Sequence, residues 1–434
     1  MLIDFYKSVF LKNNQTIYWG GEFHNRSWDD STMYLYFFIV VMTFFAAYKC
    51  EQHKNKCYKK PYSSHNKCCK KPYSSHVVFT KTRVWYGLEF LLLLCVMGLR
   101  GTWVGIDTIV YSQTFLSATS LSEIFNDGST TEPLYKFIQF FMRCIFSNQH
   151  LAIFVYSALM LYFIKNTIWK YHRSINLLIS IPAFVCIYYF QSFNIMRITL
   201  AASFILFSFP LLLNEQYKKF AVRVLVASMF HYSSVIIFGV IGMVLLYKRS
   251  KILAYVTTLL VLVIVGFSVA LLYDYISVFN RYTSYLESND SSSKIGLALF
   301  VDYLPCLYIC YYIITHKIKG HWADLTICFT MCAIVCRMLA YYISVAGRLG
   351  TQFMPLILIL MPYWINYMKQ KNQHLCKIKQ KNQHLYKIKQ KNQHHYKIML
   401  ICCSIWVILR IHIYFVGYLS LDGIMPYYFF WNGQ

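Results

Sequence analysis

Acidic side chains are scarce in this chain: 17 aspartates and glutamates stand against 42 lysines and arginines in 434 residues, leaving a net charge of +25. The carboxylates outside the basic loops are scattered, so no acid-built metal centre is expected and no metal or other cofactor is assigned. Charge of either sign is sparse as well, at 14% of residues against 57% hydrophobic with a mean hydropathy of +0.42, which excludes a soluble domain surrounded by water. No cleavable leader is expected either. The first 32 residues are polar and aromatic, and the first apolar run, Met33 to Tyr48, ends in Lys49 rather than a small-residue cleavage site, so it reads as a retained membrane span. The 15 cysteines show no secreted-domain spacing and lie mostly in apolar runs or lysine-rich loops, which predicts free thiols.

What is present is a series of apolar runs. A span needs roughly 20 apolar residues, and candidates fall near 33–48, 84–99, 148–164, 175–191, 196–213, 219–231, 233–247, 252–272, 295–315, 323–345, 351–368 and 398–417. The reading is an all-α polytopic membrane protein with about 10 to 12 crossings. Lysine and arginine clusters at 49–83, 165–173, 218–219, 248–251, 317–319 and 369–397 fall on one side if the crossings alternate, which makes that side cytoplasmic. The positive charge is thus explained without nucleic acid, and none is expected as a partner. The organisation is a polar outward segment at 1–32, a membrane domain at 33–417 with basic cytoplasmic loops at 49–83 and 369–397, and an outward tail at 418–434. Two stretches are ambiguous. "LYKFIQFFMRCIF" from Leu134 has helical periodicity broken by Lys136 and Arg143 and reads as an interfacial or re-entrant helix, and Phe220 to Tyr247, long enough for a single helix, reads as two short crossings with His231 near an outer turn because basic clusters flank both ends.

Both basic loops contain tandem repeats. "KCYKKPYSSHN" from Lys56 is followed by "KCCKKPYSSH", and near copies of "KIKQKNQHLY" recur between Met368 and Tyr396. Their short periods and near identity fit expansion of a low-complexity loop rather than a solenoid. Attraction to anionic membrane lipid is a further use, and a metal site at Cys57, Cys68, Cys69, His65 and His76 a weaker one.

The outward segments use a different set of residues. "GLRGTWVGIDTIVY" supplies Arg100, Asp107 and Tyr111, and "TTEPLY" supplies Glu132; Arg197, His231, Arg281 with Tyr282, and Arg348 follow in "FNIMR", "FHYSS", "NRYTSY" and "AGRLG". Each has an ordinary structural use. The arginines can snorkel to headgroups, Asp107 can form an Asx turn, Glu132 can sit at a helix N-terminus before Pro133, and His231 can bond to turn backbone. Their shared side is the informative feature. Arginines on the outer side run against the positive-inside bias, and a central arginine costs about 2.5 to 3.5 kcal/mol on insertion scales. A diphosphate headgroup supplies the balancing charge, which guanidinium forks grip bidentately.

These residues resemble the EpsG-family, Wzy-like polysaccharide polymerases of bacterial envelopes. The resemblance rests on "GLRGTWVGIDTIVY", "TEPLYKFI", "YYFQSFNIMRITLAASFILFS", "ASMFHYSS", "NRYTSYLES" and "IMPYYFF", in that order over residues 84–430. The polar N-terminal segment and the two basic expansions depart from the pattern without removing an outward polar residue. The resemblance implies a fold similar to the large integral-membrane, GT-C-like glycosyltransferases, without a nucleotide-sugar site. It also implies a bacterial cytoplasmic-membrane enzyme, active at the outer face, that joins oligosaccharide repeat units carried on polyprenyl diphosphate, alongside a flippase and a chain-length regulator.

Departure of an anomeric diphosphate builds negative charge that placed cations stabilise, and loss of one such donor typically costs 10²- to 10³-fold. Arg197 leads that set, with Arg100, Arg281 and Arg348; His231, Asp107 and Glu132 are the candidate bases, His231 first, and Tyr111, Glu132 and Tyr282 the candidate sugar contacts. Metal-independent transfer is expected. A flippase for the same lipid-linked sugar is the main rival, although no repeat of spans is found and the charges gather at one face. A membrane O-acyltransferase leaves the arginines without a task, and a ligase passing finished chain to another acceptor shares every residue named.

Overall fold

Helices occupy all 12 positions where apolar runs predict them, in a computed structural model that describes the backbone of residues 2–13, 17–19, 22–24, 27–58, 75–122, 131–276, 297–342, 344–377 and 383–431. Among the described residues, five helices are long and apolar enough to cross a bilayer: Asp30–Asn55, Gln149–Tyr171, Met196–Leu213, Tyr232–Arg249 and Gln393–Gly417. Leu177–Tyr189 and Lys251–Val263 are shorter apolar helices. The chain is therefore an all-α polytopic membrane protein, apart from a three-residue antiparallel pair, Ile17–Trp19 with Glu22–His24. The side chains of residues 56–80 and 372–392, which hold most of the two tandem repeats and include Cys57, Cys68, Cys69, His65 and His76, lie outside the described residues, as do those of Arg281 and Tyr282. All 11 described cysteines are free.

The chain divides into two compact units. The first comprises Met1–Thr130, Lys136–Met196 and Ile365–Gln434. In it, helix Asp30–Tyr58 packs on helices Ser75–Gly98 and Leu177–Phe184, and Gln149–Tyr171 packs on Ser75–Gly98 and on Ile106–Leu116. Asparagines start two of its helices: Asn148 accepts from the His150 N–H and Asn176 from the Leu178 N–H, satisfying donors with no partner inside the helix. After Phe184 the ladder changes to a π turn over Val185–Tyr189 and a 3-10 turn over Gln191–Phe193. The long helix Gln383–Gly417 packs on that π turn. Aromatic rings fill the gap, with Phe190 lying 4.9 Å from Tyr36 and 5.6 Å from Phe415 between centroids. Two of the buried tyrosine hydroxyls find carbonyls, Tyr189 bonding to Leu93 and Tyr427 to Val96.

On the basic-loop end of this unit, Glu51 accepts from Lys54 at 2.9 Å, from Lys369 at 3.1 Å and from the Leu177 N–H at 3.1 Å. Lys54 also donates to the Ile175 carbonyl. Glu51 and Lys54 are buried, so removing one leaves the other as an uncompensated charge. Glu51→Ala is expected to destabilise the protein by about 3 to 5 kcal/mol. Thermal unfolding in detergent would register this as a clear fall in midpoint.

The second unit comprises Thr131–Tyr135 and Arg197–Trp364. Helix His321–Tyr342 is its centre, packing on Ile237–Arg249, Lys251–Ile276 and Leu297–Thr315. Leu297–Thr315, with cysteines at 306 and 310, packs on His321–Tyr342, with cysteines at 328, 332 and 336. The expected break at His231 is present. Tyr217–Phe230 ends there, His231 is extended at φ −158°, a 3-10 turn covers Tyr232–Ile236, and the next helix starts at Ile237. A second 3-10 stretch, Ser344–Phe353, packs against both that turn and the central helix.

The amphipathic stretch after Glu132 forms a helix, Pro133–Ile145. At 13 residues it rises about 20 Å, short of a ~30 Å hydrocarbon core. Phe137, Phe141 and Ile145 are exposed while Lys136 and Gln139 are buried, an inverted polarity that suits a helix lying in the bilayer interface.

Candidate functional site

Three residues singled out in the sequence meet in the second unit. Glu132 stands directly before Pro133, whose fixed φ and missing N–H suit the first helical position, so the glutamate takes the N-cap place. Its carboxylate accepts from Arg197 Nη1 at 2.5 Å through Oε2 and meets His231 Nδ1 at 2.6 Å through Oε1. The Tyr232 N–H adds a longer contact of 3.4 Å to Oε1. Glu132 is 5% exposed at its side chain, whereas Arg197 and His231 keep 22% and 27% exposure. The carboxylate is thus the buried keystone, and the two groups able to do chemistry flank it on the accessible side.

Local structure explains each placement. Arg197 is the second residue of helix Met196–Leu213, where a cation opposes the helix dipole; the carboxylate alongside removes that penalty. Its guanidinium also lies 5.1 Å from the centroid of the Tyr135 ring, one helical turn from Glu132. His231 is aimed by the break in its helix, since extended backbone carries it off the axis of Tyr217–Phe230.

Burial alone raises the carboxyl of Glu132, but the His231 hydrogen bond and the Arg197 charge outweigh it and hold the group below its ordinary value. It is ionised at neutral pH. An ionised carboxylate only accepts, so Nδ1 carries the proton of the pair, which in a neutral imidazole leaves the lone pair on Nε2. That is the arrangement of an oriented general base.

Two more candidates behave differently. Arg100, in the first unit, is fully buried. Its guanidinium donates to the carbonyls of Met97, Val104 and Phe193 and to the Ser157 hydroxyl, so in this structure it braces its own turn instead of facing a ligand. Gly105 completes that turn at φ +97°, and a Cβ there would meet the Phe193 carbonyl oxygen at 2.4 Å. The close approach that the glycines permit is backbone to backbone. Asp107 follows in the first turn of Ile106–Leu116 with its N–H donated to the Asn194 side chain, and Tyr111 is buried one turn later. Arg348, in the second unit, is exposed on the 3-10 stretch Ser344–Phe353.

Several partners escaped sequence reasoning. Asn194, within the "FNIMR" motif, donates to Asp422 at 2.9 Å, and Asp422 also accepts from Tyr414. The signal was adjacency, since Asp422 lies just ahead of "IMPYYFF". Asp302 pairs with Arg337 at 2.8 Å.

Comparison with known proteins adds one finding. The sequence model of the EpsG family matches residues 83–380, more than half of the chain, a range that holds Glu132, Arg197, His231 and Arg348. No curated protein matches, and no solved structure does.

Proposed function

The chain belongs to the EpsG family, and from that membership, with Glu132 holding Arg197 and His231 together, we propose that it extends a surface polysaccharide at the outer face of the bacterial cytoplasmic membrane. The family places it in polysaccharide biosynthesis with a polymerase-type role, and its apolar helices make it a membrane protein. The proposed substrate is an oligosaccharide carried on polyprenyl diphosphate, serving as both donor and acceptor. His231 Nε2 takes the proton of the acceptor hydroxyl as its oxygen attacks the anomeric carbon of the donor. The bond from that carbon to the diphosphate oxygen breaks, and the electron pair leaves with the lipid diphosphate. Arg197 and Arg348 stabilise that charge, with Arg281 as a further candidate. Tyr282 is assigned to sugar contact, whereas Arg100, in the first unit, shapes the loop that carries Asp107.

The observation that carries this reading is the shared carboxylate. It couples a cation suited to a phosphate leaving group with an imidazole oriented as a base. The test is turnover of a lipid diphosphate-linked oligosaccharide by purified protein in vesicles, read as a product ladder on a gel. Wild type is expected to produce a ladder, and His231→Ala to lose about 10²-fold in rate, within the range of general-base catalysis. Movement of the lipid-linked sugar across the vesicle membrane with no ladder would make the protein a flippase and overturn the proposal.

A further inference from the structure

Gln352 is fully buried on the second 3-10 stretch, and a buried amide must be hydrogen-bonded to be tolerated. Its partners are specific. The amide oxygen accepts from the Ser234 hydroxyl at 3.2 Å, and the amide nitrogen donates to the Ser233 hydroxyl at 3.1 Å. Both serines belong to the 3-10 turn Tyr232–Ile236 that begins directly after His231. The first N–H of that turn, on Tyr232, donates to Glu132. The turn is therefore pinned at its start by the carboxylate and in its middle by one side-chain amide.

The segment bearing Gln352 is itself unusual. Ser344–Phe353 runs for ten residues as 3-10 helix, whereas such runs seldom exceed three or four. Poor internal hydrogen-bond geometry means that tertiary contacts must hold it. Four residues before Gln352 on the same run is Arg348, exposed where Gln352 is buried. At about 2.0 Å rise per residue, the two lie about 8 Å apart along the segment, turned to different sides.

We propose that Gln352 is a positioning residue: its amide bridges Ser233 and Ser234 so that the turn carrying His231 and the segment carrying Arg348 keep one fixed register. The inference rests on the polymerase reading for the roles of His231 and Arg348, and on geometry alone for the clamp. Gln352 touches no reacting atom. It sets where the imidazole stands relative to the cation, and a misplacement on the order of 1 Å at a reacting group costs about 10²-fold.

The experiment uses the full chain in lipid nanodiscs and three variants. Gln352→Met keeps most of the volume and removes both hydrogen bonds. Ser233→Ala with Ser234→Ala removes them from the other side. The triple variant leaves no stranded polar partner, so its thermal midpoint is expected to return close to wild type. Hydrogen exchange over residues 230–237 reads the clamp, and the rate of ladder formation reads the chemistry. All three variants are expected to exchange faster over 230–237 and to lose about 10- to 100-fold in kcat with donor KM little changed, the triple included. A triple variant that regains wild-type kcat and exchange along with its midpoint would show an amide merely satisfied by burial, and would overturn the proposal. Unchanged exchange in every variant would overturn it too. Absence of a ladder from wild type, with the exchange difference intact, would overturn the polymerase reading and leave the clamp standing.

Discussion

Glu132→Gln is expected to lower the rate of chain growth by about 10³- to 10⁴-fold, the scale seen when the carboxylate behind a catalytic imidazole becomes an amide. The substitution is nearly isosteric, so the loss is electrical. Glutamine presents an oxygen or an NH2 group to His231 Nδ1; with NH2 facing it, the imidazole proton moves to Nε2 and the base is lost. The same change removes the charge that Arg197 pairs with at 2.5 Å. Glu132→Asp keeps the charge but shortens the reach by a methylene, so it should keep one contact and fall between glutamine and wild type. Ladder rates of the three proteins, each with its thermal midpoint measured, separate chemistry from folding.

A pH series provides the matching control. The Glu132 carboxyl is buried, yet His231 and Arg197 hold it below the ordinary 4.5. A carboxylate depressed in the folded state stabilises the fold above its unfolded pKa, and that contribution drains away as pH falls from about 4.5 through the native value. Wild type should therefore lose midpoint more steeply below that point than Glu132→Gln, which has no carboxylate to protonate.

Periodicity made the helices legible, because a 3.6-residue apolar stripe or a continuous apolar run is a local property of the chain. The helix break at His231 was legible for a different reason: basic clusters flank both ends of the segment, which asks the chain to turn back between them. The side chains at Arg197, His231 and Glu132 were legible as types, but their meeting was not: Glu132 lies 65 residues from Arg197 and 99 from His231, and no local rule encodes a pairing across helices. Arg100 illustrates the opposite failure. As an arginine beside glycines it reads as a phosphate contact, and only the turn of Val104 and Phe193 back onto its guanidinium reveals a buried brace. Gln352 left no signal in sequence. An uncharged residue on a stretch too irregular for a helical pattern is informative only once its serine partners are in place.

Arg197→Lys should collapse the ladder by 10²- to 10³-fold although charge is conserved, the cost of losing one well-placed donor to a developing oxyanion. A guanidinium offers five N–H donors in a rigid plane, so one edge can hold Glu132 through Nη1 while the group stays over the Tyr135 ring and also addresses a bidentate phosphate. An ammonium is a single point with three donors. Placed within reach of Glu132 it is drawn onto the carboxylate, and the edge presented to phosphate disappears. Lysine also remains a cation in the first turn of helix Met196–Leu213, so the electrostatic cost to folding is unchanged and insertion should be normal. The decisive comparison is with Arg348→Lys, at an exposed position of the 3-10 stretch Ser344–Phe353. A steep loss at 197 with a shallow one at 348 locates the leaving group at the Glu132 cluster, whereas equal small losses would mean that net positive charge is all the diphosphate requires.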